Sequence, residues 1–191
     1  MKNAIILHGI EDNRKDYDGL PESPSNLGWF PVIKQELIRR GVLTQTPEMP
    51  NPYMPDMDYS EWAKAISPFN INSETILIGH SCGGGFWLKY LSNNPDIRVK
   101  QLILVAPWID PENKHLTFFA DLNLDKNLPA RCGQIDLFIS SDDMPRILKS
   151  FEKIKETYGD KIKYHEFNDK EHFSWSCIGR DFPELLKVII A

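Results

Sequence analysis

Short apolar runs alternate along this chain with longer stretches whose apolar residues recur every three or four positions. The runs at 3–8, 43–46, 74–79, 101–106, 134–140 and 161–167 have the length of strands and predict β structure. The amphipathic stretches at 27–40, 58–67, 82–93, 144–157 and 180–190 predict helices. In the first of these, Phe30, Ile33, Leu37 and Ile38 make one apolar stripe and Gly41 supplies a stop. In the last, Phe182, Leu185, Leu186 and Ile189 do the same, with Pro183 acceptable in a first turn. Strand and helix patterns in alternation are the βαβ rhythm of an α/β protein with a mainly parallel sheet and helices on both faces.

Two stretches break that rhythm. Residues 11–26 are rich in Asp, Asn, Ser and Pro and read as a long surface loop after the first strand. Residues 107–133 hold Trp108, Leu116, Phe118, Phe119, Leu122, Leu124 and Leu128, too apolar a set for an ordinary loop. They are expected to form a small cap over the sheet edge, the alternative being a crossover helix on the sheet face. No repeat or interdomain linker is visible, and 191 residues predict one domain spanning 1–191.

Composition narrows the classes of function. A net charge of −5, with both signs interspersed, offers no basic stripe and argues against a nucleic-acid partner. No apolar run approaches the length needed to span a membrane, and the first strand is too short for a signal peptide. Cys82, Cys132 and Cys177 are odd in number and have no C-x-x-C spacing. They suit a reducing cytoplasm better than a disulfide framework or a zinc site. There is no phosphate loop or dinucleotide fingerprint, because Gly83-Gly84-Gly85 lacks the G-x-G-x-x-G spacing. Neither a metal nor a cofactor is expected.

The chemistry concentrates at Gly79-His80-Ser81-Cys82-Gly83, which follows the run Thr75-Ile76-Leu77-Ile78 and opens a helical stretch. A G-x-S-x-G pentapeptide between a strand and a helix is the setting of a nucleophile elbow, with Ser81 held at the carboxyl edge of the sheet. A serine nucleophile needs a base to take its proton and an acid to orient that base. The chain supplies both in the order of the hydrolase fold, with Ser140-Ser141-Asp142-Asp143 after the fifth predicted strand and Glu171-His172 after the sixth. Asp142 and Asp143 are both candidates for the acid, and either could instead cap the following helix. His172 lies in a loop, whereas His165 lies within a strand and His80 reads as part of the elbow's shape. His115 falls in the expected cap and has no assigned role.

Negative charge developing on a substrate oxygen needs preorganised N–H donors. The backbone N–H of Cys82, at the start of the elbow helix, is one; the N–H of Ile10, in the loop after the first strand, is expected as the second, with Gly9 as the alternative. The Cys82 thiol itself reads as a small buried group. Trp108, Phe118, Phe119 and Trp175 are candidates for an apolar substrate pocket, though core packing accounts for each as well.

The chain resembles the small α/β-hydrolases related to retinoblastoma-binding protein 9 and the bacterial YdeN proteins. The resemblance runs over nearly the whole length, through Ile6-Leu7-His8-Gly9, Trp29-Phe30-Pro31 and Met49-Pro50-Asn51-Pro52 followed by Glu61-Trp62. It continues through Gly79-His80-Ser81-Cys82-Gly83-Gly84, Ser140-Ser141-Asp142-Asp143 and Glu171-His172-Phe173. It implies a compact α/β-hydrolase fold of about six strands, with a Ser-Asp-His triad and no cofactor. By the spacing of the family's acid motif, it favours Asp143 over Asp142. A glycine often precedes the final histidine in that family, where this chain has Glu171.

These observations lead to the expectation of a serine hydrolase acting on a small ester, with an amide as the alternative substrate, through Ser81, Asp143 and His172. A hydrolase-fold protein-interaction module with little activity is the contrasting expectation, and a transacylase would use the same residues.

Overall fold

The computed structural model of the chain describes residues 2–114 and 117–190, so His115 and Leu116 of the expected cap lie outside the described residues. Six strands form one sheet: β1 (Asn3–Leu7), β2 (Leu43–Gln45), β3 (Thr75–His80), β4 (Gln101–Val105), β5 (Ile135–Ser140) and β6 (Lys163–Phe167). Their order is β2-β1-β3-β4-β5-β6, and every pairing is parallel rather than mainly so. The β1, β3, β4 and β5 strands are buried at every position, which requires cover on both faces of the sheet. Their unbroken apolar runs follow from that, as do the partly exposed patterns of the edge strands β2 and β6.

Among the described residues, seven α-helices connect or follow the strands: α1 (Arg14–Asp18), α2 (Phe30–Arg39), α3 (Tyr59–Ile66), α4 (Cys82–Asn93), α5 (Pro145–Tyr158), α6 (Trp175–Ile178) and α7 (Pro183–Ile190). The α3 helix starts where the Asp58 carboxylate accepts the N–H groups of Ser60 and Glu61, satisfying donors that have no partner inside the helix. The α4 helix is set apart by how closely it approaches the chain beside it. A Cβ at Gly85 would fall 1.8 Å from the carbonyl oxygen of Trp108, so only glycine lets the helix lie that close.

Aromatic side chains, all buried except the half-buried Tyr59, form two groups. Trp29, Phe30, Phe138, Phe173 and Phe182 join α2, β5 and the start of α7. Tyr59, Trp62, Phe86, Trp87, Phe118 and Phe119 join α3 and α4 to the segment after β4. Burying one such aliphatic or aromatic side chain contributes about 1.5–3 kcal/mol, so these groups hold the helices against the sheet.

Two stretches differ from expectation. Residues 11–26 are not all loop, because Asn13 accepts the Asp16 N–H and caps the five-residue helix α1. That helix buries no residue and therefore leaves no apolar period in the sequence. The 107–133 segment contains two single turns of 3-10 helix, Thr117–Phe119 and Leu128–Ala130. Its Phe118 faces Tyr59, Trp62 and Phe86, so this part of the segment is packed on α3 and α4 rather than laid over the sheet edge.

Because all six strands run the same way, the loops after β1, β3, β4, β5 and β6 emerge at one edge of the sheet. The register pairs Leu7 with Gly79, His80 with Val105 and Ser140 with Phe167, so the strands end nearly level there.

Candidate active site

Ser81 sits between the end of β3 and the start of α4 with φ 53° and ψ −122°. Few non-glycine residues adopt such a backbone, and holding one there costs on the order of 1–3 kcal/mol. Four hydrogen bonds fix it. The Ser81 N–H donates to Val105 O at 2.9 Å, and its carbonyl accepts the N–H groups of Gly84, Gly85 and Trp108 at 3.0, 3.2 and 3.0 Å. The side chain faces a cleft of about 280 Å³ whose walls come mainly from four loops, with Trp108 after β4 and Leu20 after α1 adding to them. His8 to Asp12 follow β1, Leu27 to Phe30 lead into α2, Met144 and Arg146 open α5, and His172 to Ser176 follow β6. Gly9 presses directly on the serine; a Cβ there would come within 2.9 Å of Ser81 Cβ.

His172 reaches the same cleft with its Nδ1 at 3.0 Å from both carboxylate oxygens of Asp143. The Asp143 side chain is fully buried, so the pair is shielded from water on the acid's side. Its Oδ1 also accepts the Met144 N–H at 2.6 Å. The neighbouring Asp142 points elsewhere. Its Oδ1 accepts the Ser140 hydroxyl at 2.5 Å and the Glu171 N–H at 3.1 Å, which ties the strand end of β5 to the loop carrying His172. Those hydrogen bonds hold the Asp142 carboxyl below the usual range. Glu171 takes φ 45°, the left-handed conformation that glycine adopts freely, which accounts for a glycine often standing there in the family that the sequence resembles.

A second histidine abuts the first. The rings of His80 and His172 are 4.8 Å apart, and His80 Nε2 donates to the His172 carbonyl at 2.7 Å. Burial, with the His172 charge next to it, pushes the His80 pKa down to about 3. His80 is therefore neutral at ordinary pH. Trp29 reinforces the loop by donating its Nε1–H to the Phe173 carbonyl at 3.0 Å.

Sequence reasoning singled out neither His8 nor the charged residues at the rim. His8 is 2% exposed, and burial lowers its pKa. Glu11, Asp12 and Asp16 line one side of the cleft. The Glu11 carboxyl is raised by burial and by the adjacent Asp16 and Asp12. Arg146 bonds Asp12 through both terminal nitrogens at 3.0 Å and lies 5.6 Å from the Trp108 ring centre. The sequence offers one faint signal for His8, its place in His8-Gly9, and none for the rim.

The remaining candidates separate. Trp108 and Trp175 line the cleft, with Trp175 48% exposed at its mouth. Phe118 and Phe119 do not line it. They are buried beside α3 and α4, because 3-10 turns after Trp108 carry the chain away from the cleft. Ile10 lines the cleft, and among the described residues no acceptor is bonded to the N–H of Ile10 or of Cys82. The Cys82 side chain is fully buried and its thiol pKa is pushed well up, so no thiolate forms beside the serine. Among the described residues, no group of three or more His, Cys, Asp and Glu is arranged to hold a metal ion. No helix among them is long and apolar enough to cross a membrane.

Comparison with known proteins adds to this picture. The family model for the alpha/beta hydrolase fold matches residues 5–161. The chain is 27% identical over 94 residues to YdeN of Bacillus subtilis (strain 168), a match spanning 48% of this chain and 43% of that protein. Its fold is similar to the crystal structure of the ydeN gene product from B. subtilis, with a TM-score of 0.79 at 21% identity, covering 100% of this chain and 97% of that one. It is also similar to Est1E from Butyrivibrio proteoclasticus with ferulic acid bound, at a TM-score of 0.67 and 14% identity over 99% and 86% of the two chains. A monoacylglycerol lipase from Paleococcus ferrophilus is similar at a TM-score of 0.60 and 14% identity, over 98% and 91%.

Proposed function

The chain belongs to the α/β-hydrolase fold family, and from that premise we propose that it is a serine hydrolase cleaving a small carboxylic ester or amide through an acyl-enzyme. Ser81 Oγ attacks the substrate carbonyl while His172 Nε2, the ring nitrogen not engaged with Asp143, takes the hydroxyl proton. The carbonyl oxygen becomes an oxyanion that accepts hydrogen bonds from the N–H groups of Ile10 and Cys82. The C–O or C–N bond to the leaving group then breaks, with His172 returning the proton to the departing oxygen or nitrogen. Water repeats the sequence on the acyl-enzyme, giving up its proton to His172, and Ser81 is released with the acid product. Asp143 stays ionised throughout and holds the imidazole in the Nδ1–H tautomer.

The observation that carries this reading is one convergence. A serine on a strained strand-to-helix turn and a histidine bonded to a buried carboxylate open into the same cleft. The leaving group or acyl chain would lie along the apolar wall of Leu20, Leu27, Trp29 and Trp175.

A fluorophosphonate probe tests the reading directly. It should label the native protein and leave Ser81→Ala unlabelled, and the native protein should turn over short-chain nitrophenyl esters. Equal labelling of the two proteins would remove Ser81 from its role. Turnover without labelling at Ser81 would move the chemistry to another group.

A further inference from the structure

We propose that His8 and the Met49–Met54 segment form a brace that sets the direction of the Ile10 N–H, making them positioning residues for the oxyanion donor; this rests on the serine-hydrolase reading above. The His8 ring is buried and both of its nitrogens are engaged. Nε2 accepts the Met49 N–H at 2.9 Å, and Nδ1 lies 2.7 Å from the Gly9 carbonyl oxygen. An accepting Nε2 leaves the ring proton on Nδ1, so Nδ1–H donates to Gly9 O. The Gly9–Ile10 peptide is trans, as the cis bond among the described residues is Met54–Pro55. In a trans peptide the C=O and the following N–H point in opposite directions. Drawing the Gly9 oxygen onto the His8 ring therefore turns the Ile10 N–H away from that buried ring.

The residue after Ile10 is held as firmly. The Glu11 N–H donates to Pro52 O at 2.9 Å, and the Glu11 carbonyl accepts the Met54 N–H at 3.1 Å. These two bonds make a short parallel bridge between Glu11 and Tyr53. The bracing segment is itself anchored to α3, where fully buried Trp62 donates its Nε1–H to Pro50 O at 2.8 Å. Asn51, at φ 44°, bends the segment between those contacts and accepts the Tyr53 hydroxyl at 3.2 Å. Peptides on both sides of Ile10 are thus fixed, while the Ile10 N–H has no partner among the described residues. A donor held in place and left unpaired loses little by reorganising when an oxyanion forms. The Met-Pro-Asn-Pro motif and the distant Trp62 thereby acquire a common task.

Two substitutions separate the brace from simple packing. The side-chain amide nitrogen of asparagine stands near the place of histidine Nδ1, and the amide end of glutamine near that of Nε2. His8→Asn can keep the Gly9 contact, and His8→Gln can keep the Met49 contact. With 4-nitrophenyl acetate, His8→Gln should lower kcat by roughly 10–100-fold with KM within about twofold, and His8→Asn should lose less. Native kcat in both variants, a change confined to KM, or a larger loss in His8→Asn would overturn the proposal. In case the variants fold poorly, a second arm uses the native protein labelled with ¹⁵N. Forming the fluorophosphonate adduct should shift the Ile10 amide resonance strongly and leave those of Met49, Glu11 and Met54 nearly unmoved. An adduct on Ser81 with an unmoved Ile10 amide would refute the brace and spare the serine-hydrolase reading. Absence of any adduct on Ser81 would remove both.

Discussion

Replacing Asp143 by asparagine gives the sharpest test of the charge arrangement, because its neighbour Asp142 provides a control one residue away. In the native protein, a fully buried carboxylate faces His172 Nδ1 with both oxygens at 3.0 Å. A hydrogen bond to a charged group contributes about 1.5–3 kcal/mol. In the proposed mechanism the imidazolium formed during attack would gain a further Coulomb attraction of about 4 kcal/mol at a separation near 4 Å and an effective dielectric of 20. Asparagine removes the charge and offers its N–H₂ group to the ring, favouring the wrong tautomer. Allowing for overlap between the two contributions, a loss of about 4–5.5 kcal/mol in transition-state stabilisation corresponds to a 10³–10⁴-fold fall in kcat. Asp142→Asn keeps an oxygen that can still accept from Ser140 Oγ and Glu171 N, so kcat should stay within roughly a fivefold change. The assay is steady-state hydrolysis of 4-nitrophenyl acetate by both variants, with thermal melting to show that each is folded. An Asp143→Asn enzyme within about tenfold of native, or an Asp142→Asn loss as large as that of Asp143→Asn, would refute the reasoning.

Further expectations follow from the packing and the buried histidines. Phe118→Ala should lower stability by about 3–5 kcal/mol in urea unfolding while leaving kcat/KM nearly unchanged, since the ring lies against α3 and α4; a large change in KM would return it to the substrate site. Gly85→Ala should destabilise by more than ~4 kcal/mol, seen as insoluble or melted protein on expression, because the new Cβ meets the Trp108 carbonyl at 1.8 Å. Burial pushes the His80 pKa from about 6.5 in the unfolded chain down to about 3 in the folded one. Below pH 6.5 the unfolded chain therefore binds a proton that the folded chain refuses, and stability falls as pH drops towards about 3. The slope approaches about 1.4 kcal/mol per pH unit for this residue. His8, also lowered by burial, adds to it in the same direction. Urea midpoints between neutral and acidic pH should decline less steeply in His80→Gln than in the native protein, and parallel profiles would count against the shift.

How much of this was legible in the sequence depended on whether the physics was local. The central strands announced themselves because β1, β3, β4 and β5 are buried at every position, which keeps their middles apolar and confines most polar residues, such as Asn3, Thr75 and Gln101, to their ends. Helices α2 and α7 were visible because each buries one stripe. The α1 helix was not, since a side-chain cap forms it and it buries nothing. Phe118 and Trp108 have the same apolar character, and only the path of the chain after β4 sends one to the core and the other to the cleft. Asp142 and Asp143 are the same residue type in adjacent positions, so their separate tasks depend on where each side chain turns. The contacts of Trp29 with Phe173 and of His8 with Met49 join parts of the chain 144 and 41 residues apart, which no periodicity records.

The histidine proposed as base follows β6, which has one neighbour in the sheet and is only partly buried. An edge strand of this kind frays at a lower free energy than the centre of a sheet. Left to itself, such fraying would draw the imidazole out of the cleft while Ser81, rooted between β3 and α4, stayed in place. The buried N–H groups of His80 and Trp29 hold the carbonyls of His172 and Phe173 to the interior, so opening the loop requires breaking bonds to the molecule's centre. The placement of the proposed base is thereby made to share the lifetime of the sheet's middle rather than that of its border.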